Sequence, residues 1–82
     1  MSESTIENKK IIQKILSEIL TVAPESIDTS RMFTDYPNID SIVMLNLMIA
    51  TEGEFNVQFD MSEIEKYFGN IDDLAEHLST KK

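Results

Sequence analysis

Apolar residues recur every three or four positions along most of this chain, the spacing of one face of an α-helix. In the first segment these positions are Ile12, Ile15, Leu16, Ile19 and Leu20. The stretch Ser4-Thr5-Ile6-Glu7 fits a capping box, with Ser4 as the cap. Pro24 closes the segment, because proline cannot continue a helix. The pattern predicts a first helix from Thr5 to Leu20.

A second segment, from Ser41 to about Glu54, is apolar on more than one side. One stripe contains Met44, Leu47, Met48, Thr51 and Phe55, and a second contains Ile42, Leu45 and Ile49. A helix in a small globular domain needs only one buried stripe. The second stripe is therefore predicted to be an exposed contact surface. Gly53 is compatible with termination near the end of this helix.

The remaining segments predict one short helix and one last helix. The stretch 60–65 reads as the short helix, with Asp60 and Glu63, or Ser62 and Glu65, as cap pairs. Asn70 can cap the last helix. The inward face of that helix is Ile71, Leu74, Ala75 and Leu78. The alternation of Phe55, Val57 and Phe59 is too short for a sheet and has no second strand with which to pair.

Residues 21–39 are rich in turn-forming residues and include Pro24 and Pro37, so they predict a long ordered loop anchored by Ile27, Met32 and Phe33. The predicted fold class is all-α, a four-helix bundle with three main helices, one short helix and a long loop between helices one and two. The 82 residues suit one domain. We expect flexible ends at 1–4 and 79–82.

The balance of seven basic and fifteen acidic residues gives a formal net charge of −8. This charge argues against binding nucleic acid or an anionic membrane surface, and it favours partners with basic patches. Because the chain has no cysteine, any thiol chemistry must be imported. We find no signal-peptide pattern and no apolar run near the ~20 residues of a membrane span, so we expect a cytoplasmic protein without stable membrane insertion. Because the sequence gives no sign of oligomerisation, we expect a monomer.

Catalytic and metal-binding patterns are absent from the sequence. His77 is the only histidine, and we expect it to be a solvated residue of the last helix. No order of residues suggests a catalytic triad, a calcium loop or a glycine-rich phosphate loop. We therefore predict no catalytic residue and no metal site, and we interpret the acidic residues as a solvated face.

The pair Asp40-Ser41 opens the most hydrophobic run of the chain. Both side chains can accept hydrogen bonds from the free N–H groups of a first helical turn, so capping is one interpretation. The other is that Ser41 carries a group. Met44 stands three residues after Ser41, where a glutamate would complete a capping box, so capping alone explains the pair poorly.

The chain resembles the acyl carrier protein family over nearly its whole length. The resemblance rests on Asp40-Ser41-Ile42 after a long loop, on Glu52-Gly53-Glu54-Phe55 at the end of the second helix, on a short acidic helix, and on Ile71-Asp72-Asp73-Leu74. The loop segments Val22-Ala23-Pro24-Glu25-Ser26-Ile27 and Met32-Phe33 are also similar to those of the family.

The resemblance implies that a phosphopantetheinyl transferase moves 4'-phosphopantetheine from coenzyme A onto Ser41, with Asp40 helping partner enzymes to find their register. A phosphodiester at this position is stabilised by the free N–H groups and the dipole of the helix N-terminus. The protein is then no enzyme, but a carrier that passes acyl thioesters between a loading ligase and acyl-transfer enzymes. The partner-binding residues implied on the second helix are Ile42, Val43, Leu45, Asn46, Ile49 and Glu52.

Several positions depart from the family pattern. Asn38 replaces the usual glycine three residues before the serine, and we expect it to tolerate a left-handed turn. Val43 and Asn46 stand where carriers of fatty acid synthesis usually have acids. We therefore expect a carrier for a specialised lipid or secondary-metabolite pathway. Two alternatives stay open: an aminoacyl or peptidyl carrier loaded by an adenylating enzyme, and a non-carrier acidic helical adaptor.

Overall fold

The computed structural model of the protein describes residues 3–81, which form four α-helices and contain no β-strand. The helices are α1 (Glu3–Leu20), α2 (Ser41–Phe55), α3 (Met61–Tyr67) and α4 (Ile71–Lys81). The long loop between α1 and α2 contains two short 3-10 turns, Pro24–Ser26 and Phe33–Asp35. The predicted class, with three main helices and one short helix, is confirmed.

The two ends of the described chain are helical and pack against each other. Ser4 Oγ donates a hydrogen bond to Ser79 Oγ at 3.3 Å, and Thr5 Oγ1 lies 2.7 Å from the same hydroxyl. Asn8 Nδ2 donates to the carbonyl of Ala75 at 3.3 Å. Residues 1, 2 and 82, which belong to the predicted flexible ends, lie outside the described residues.

The predicted cap of α1 is wrong, because Ser4 lies inside a helix that begins at Glu3. Of the two cap pairs predicted for α3, the pair of Asp60 and Glu63 is confirmed. Asp60 Oδ1 accepts a hydrogen bond from the N–H of Glu63 at 2.8 Å, and Glu63 Oε1 accepts one from the N–H of Asp60 at 3.2 Å. Asn70 Oδ1 likewise accepts a hydrogen bond from the N–H of Asp73 at 2.8 Å, which caps α4 as predicted.

Left-handed residues end the two long helices. Thr21 has φ 59°, and the next N–H, of Val22, donates to the carbonyl of Ser17 at 3.0 Å. Asn56 has φ 53°, and the N–H of Val57 donates to the carbonyl of Glu52 at 3.1 Å. Both bonds have the six-to-one pattern of a Schellman motif. Gly53 therefore lies inside α2 and does not end it, and α1 ends at Leu20, followed by the left-handed Thr21 and well before Pro24.

The hydrophobic core draws on all the long helices and on the loop. Its fully or nearly fully buried members are Ile12, Leu16, Ile27, Phe33, Leu47, Phe55, Phe68, Ile71, Leu74, Ala75 and Leu78. The predicted inward face of α4 is thus buried in full. Of the three predicted loop anchors, Ile27 and Phe33 are buried, whereas Met32 is exposed.

Backbone hydrogen bonds tie the long loop to the start of α4. The N–H of Phe33 donates to the carbonyl of Gly69 at 2.8 Å, and the N–H of Asp72 donates to the carbonyl of Thr29 at 3.0 Å. These bonds satisfy polar backbone groups that would be costly to leave unpaired near the core. The loop is therefore held in place where it delivers the chain to α2.

Candidate functional site

The site begins with the cap of α2. Asp40 has extended backbone angles, φ −111° and ψ −173°, and its Oδ1 accepts a hydrogen bond from the N–H of Val43 at 2.9 Å. Asp40 is therefore the N-cap, and Ser41 is the first residue of the helix. The capping interpretation of the pair applies to Asp40 and leaves the presence of Ser41 unexplained.

Ser41 presents an accessible hydroxyl. Its side chain is exposed, and its Oγ makes no hydrogen bond with any residue in 3–81. The N–H groups of Ser41 and Ile42 are likewise without an acceptor in that part of the chain, because they lie in the first turn of α2 and the Asp40 side chain accepts from Val43 instead. Free N–H groups and the positive end of a helix dipole stabilise a phosphate. The residues present at this position therefore fit a phosphodiester on Ser41.

The loop before Ser41 is ordered by its own contacts. Arg31 lies over the ring of Tyr36, 4.5 Å from the centroid, and donates a hydrogen bond to the carbonyl of Asp35 at 2.8 Å. Tyr36 in turn donates its hydroxyl to the carbonyl of Asp28 at 3.1 Å. The expected left-handed turn at Asn38 is wrong, since Asn38 does not have a positive φ. A backbone hydrogen bond from the N–H of Ile39 to the carbonyl of Tyr36, at 3.3 Å, closes the turn around Asn38 without a left-handed residue.

Side-chain hydrogen bonding also orders the start of this loop segment at Asp28. Ser30 donates both its hydroxyl, at 2.7 Å, and its N–H, at 2.9 Å, to Asp28 Oδ1. These two bonds, the hydroxyl first, lower the pKa of the Asp28 carboxyl. The charged form of Asp28 is thus the one that the turn favours.

The second apolar stripe of α2 is exposed, as predicted. Ile42, Leu45 and Ile49 are 66%, 50% and 55% exposed, and they follow directly from Ser41 on the outer side of the helix. Three large aliphatic side chains at this exposure on one helix face form a contiguous apolar surface. We refer to Ile42, Leu45 and Ile49 as the outer stripe.

The other predicted partner residues are placed differently. Asn46 is exposed beside the outer stripe, whereas Val43 is partly buried and packs against the core. The carboxylate of Glu52 accepts a hydrogen bond from the N–H of Phe59 at 2.9 Å, so it also holds the segment after α2. Of these three residues, only Asn46 offers an unconstrained side chain on the outer side of α2.

His77 is not the solvated residue that the sequence predicts. Its Nε2 lies 2.7 Å from Glu63 Oε2, and its ring stacks on Tyr67 with 3.8 Å between centroids. Lys81 Nζ donates to the same carboxylate oxygen at 2.7 Å. The hydrogen bond from Lys81 and then that from His77 lower the pKa of Glu63 to about 2. This cluster joins α3 to α4. In the sequence, its only indication is the four-residue spacing of His77 and Lys81, which places both side chains on the same side of α4.

Neither a metal site nor a membrane span emerges from residues 3–81. No group of three or more histidine, aspartate and glutamate side chains there could hold a metal ion. No helix within the same residues is long and apolar enough to cross a membrane.

Comparison with known proteins identifies the class to which this site belongs. Residues 10–78 match the family described as phosphopantetheine attachment site. The chain therefore belongs to this family and is a carrier protein, which is modified and used by separate enzymes and bears a 4'-phosphopantetheine cofactor. The cofactor supplies a thiol on a flexible arm, and that thiol can hold a carboxylic acid as a thioester.

Individual relatives cover almost the whole chain. It is 30% identical over 81 residues to the acyl carrier protein of Thermosynechococcus vestitus, covering 99% of this chain and 96% of that one. It is 31% identical over 71 residues to the acyl carrier protein of Zymomonas mobilis, covering 87% and 90%. A solved free-standing peptidyl carrier protein from a secondary metabolic pathway of Acinetobacter baumannii has a TM-score of 0.83 at 28% identity, with 98% of both chains covered.

Proposed function

We propose that Ser41 is the attachment point of the phosphopantetheine arm, and that the protein carries acyl intermediates as thioesters in a specialised lipid or secondary-metabolite pathway. The observation that carries the attachment point is the exposed, unpaired Ser41 hydroxyl at the first position of α2, beside two free N–H groups. Ser41 itself needs no catalytic apparatus, because the transferase supplies the base that takes its proton.

Intact mass after incubation with coenzyme A and a broad-specificity phosphopantetheinyl transferase tests this attachment point. We expect a gain of one phosphopantetheine in the wild-type protein and none in Ser41→Ala. Ser62→Ala is the matched control, because Ser62 is also an exposed serine in the first turn of a helix. Modification that persists in Ser41→Ala would contradict the proposal.

The outer stripe is the proposed docking surface for partner enzymes. Val43 and Asn46 add no charge beside it, so apolar contact should contribute more to binding than charge steering. A partner that complements this surface has an apolar docking patch with basic residues at its rim. A housekeeping fatty acid ketosynthase, whose usual carriers are acidic at the positions of Val43 and Asn46, should therefore bind this protein weakly.

A charge-restoring variant tests this surface. Asn46→Glu places an acid on the exposed side of α2 without disturbing the core, whereas Val43→Glu would bury one. We expect Asn46→Glu to strengthen binding to a fatty acid ketosynthase in a salt-sensitive way. Gln58→Glu adds the same charge at an exposed position outside α2 and serves as the control. Wild-type protein that binds this enzyme as tightly as the enzyme's own carrier, with the same salt dependence, would refute the specialised role.

An aminoacyl or peptidyl carrier is the second candidate, and the high structural similarity to the free-standing peptidyl carrier favours it. The two candidates differ in the enzyme that loads the thiol. The phosphopantetheine-bearing protein can be offered to purified fatty-acyl-adenylating and amino-acid-adenylating enzymes with ATP and mixed substrates. Fatty acyl thioesters detected by mass would support the first candidate, and exclusive aminoacyl loading would replace it by the second.

A further inference from the structure

Thr51 has an unusual environment in the core. It lies on the inner side of α2, its side chain is completely buried, and its Oγ1 has no hydrogen-bond partner within residues 3–81. Asp72 Oδ1 is the other buried side-chain oxygen without a hydrogen bond in that part of the chain, but it forms an ion pair with Lys9 at 3.0 Å. A buried hydroxyl that is left unpaired costs stability.

Other helical hydroxyls in this protein avoid that cost by bonding to their own helix. Ser17 donates to the carbonyl of Lys14 at 2.6 Å, Ser79 donates to Ala75 at 3.2 Å, and Thr80 donates to His77 at 2.8 Å. Such back-bonding is the ordinary solution for serine and threonine within a helix. Thr51 does not use it, although a valine of similar shape would fill an apolar core without leaving a polar group unpaired.

The route from Ser41 to Thr51 runs along one side of α2. Met44, Met48 and Thr51 are spaced by four and three residues, so they lie on one stripe of the helix. At 1.5 Å per residue, Ser41 and Thr51 are separated by about 15 Å along the helix axis. Both methionines are partly buried against the core. Their flexible thioether chains can shift without the strain that a branched side chain would incur.

We infer that the Thr51 hydroxyl is a polar contact for the cargo, and that the cargo is an acyl chain with a neutral oxygen substituent, a hydroxyl or a keto group. This inference rests on the proposed function, in which an acyl thioester is attached through Ser41. The chain enters beside Met44 and Met48, its carbon atoms contact the apolar core, and its oxygen pairs with Thr51. A charged ammonium group does not suit this position, because one hydroxyl cannot replace its hydration.

The test loads the protein with defined cargoes and measures thermal stability. A broad-specificity transferase attaches octanoyl-phosphopantetheine, or its derivatives with a hydroxyl at carbon 3, 5 or 7, from the corresponding coenzyme A thioesters. Intact mass verifies loading, and Tm is measured for wild type, Thr51→Val and Thr51→Ser. Failure to load would reject the attachment to Ser41, whereas loading without the stability pattern below would reject the role of Thr51.

In wild-type protein, we expect at least one hydroxylated chain to raise Tm above the octanoyl value by about 4–8 °C, the effect of one net hydrogen bond in a domain of this size. Thr51→Val should lose this difference, and Thr51→Ser, which retains a hydroxyl, should keep part of it. Without cargo, Thr51→Val should melt at or above the wild-type temperature, because it removes an unpaired polar group.

Two results would overturn the inference. One is a Tm for cargo-free Thr51→Val clearly below that of wild type, which would show that the hydroxyl already has a stabilising partner. The other is an equal Tm for octanoyl and all three hydroxylated chains in the wild-type protein.

Discussion

Replacement of Asp40 separates the two roles that the structure allows for this residue, capping α2 and presenting charge beside Ser41. Asp40→Ala removes the acceptor that the N–H of Val43 uses at 2.9 Å. Loss of an N-cap costs about 1 kcal/mol. In a domain of 82 residues this corresponds to a fall in Tm of about 4–8 °C. Asp40→Asn keeps an acceptor oxygen at the same position but removes the negative charge.

The charge of Asp40 contributes less to stability than the hydrogen bond does. A carboxylate at a helix N-terminus is worth about 0.3–1 kcal/mol, and exposure places Asp40 at the lower end. We therefore expect Asp40→Asn to lower Tm by about 1–4 °C. If the carboxylate also forms an ion pair with a basic group of the transferase, Asp40→Asn removes that pair. An exposed ion pair is worth about 0.2–1 kcal/mol, so its loss should make modification about 1.4-fold to fivefold slower.

The assay measures the initial rate of phosphopantetheine transfer by intact mass, at a temperature where every variant is folded. We expect Asp40→Asn and Asp40→Ala to be slowed to a similar extent despite their different Tm values. Asp60→Ala is the matched control, because it removes the cap of α3 at a distance from Ser41 in the sequence and should lower Tm without slowing transfer. A wild-type rate for Asp40→Asn would refute the charge argument and leave Asp40 as a cap only.

Two further predictions concern stability. Thr21→Gly should raise the free energy of unfolding by about 0.5–1 kcal/mol, because a left-handed β-branched residue costs more than the added chain entropy of glycine. Asn56→Gly should change the free energy of unfolding little, because asparagine tolerates the left-handed conformation. Urea unfolding measures both variants, and a loss of stability in Thr21→Gly would contradict the first prediction. The lowered pKa of Glu63, about 2 against an ordinary 4.5, stabilises the fold above pH 4.5, and that stability is lost as the pH falls toward 2. In a plot of Tm against pH, Glu63→Gln should therefore reduce the fall in Tm between pH 4.5 and pH 2. An unchanged fall would show that other groups cause the loss of stability in acid.

Much of the helical frame could be predicted because its signals are local. The capping box of Asp60 and Glu63 needs only residues three apart, and the inward face of α4 follows from the spacing of its apolar residues. The outer stripe could also be predicted, since a helix of this small domain that is apolar on two sides cannot bury both. The pair Asp40-Ser41 could also be singled out from the sequence, because a polar pair before a hydrophobic run is a local signal of a helix start.

The errors concern contacts between segments that are distant in the sequence. Ser4 meets Ser79 across 75 positions, so it serves the packing of α1 on α4 and not the start of α1. His77 meets Glu63 on another helix, a pairing that composition and periodicity do not encode. Thr21 ends α1 in a conformation that threonine rarely adopts alone, which the surrounding fold must impose. Local preference was overruled by tertiary structure in each case.

The two sides of α2 carry different kinds of selectivity in the proposed function. The outer stripe faces outward next to Ser41 and would select the enzymes that dock, while Met44, Met48 and Thr51 face the core and would select the cargo. Substitutions on one side should therefore leave the other property intact. Leu45→Ala should weaken partner binding without changing the Tm difference between octanoyl and hydroxylated cargoes, and Thr51→Val should do the reverse. Loss of both properties in either variant would show that docking and cargo recognition are coupled through the helix.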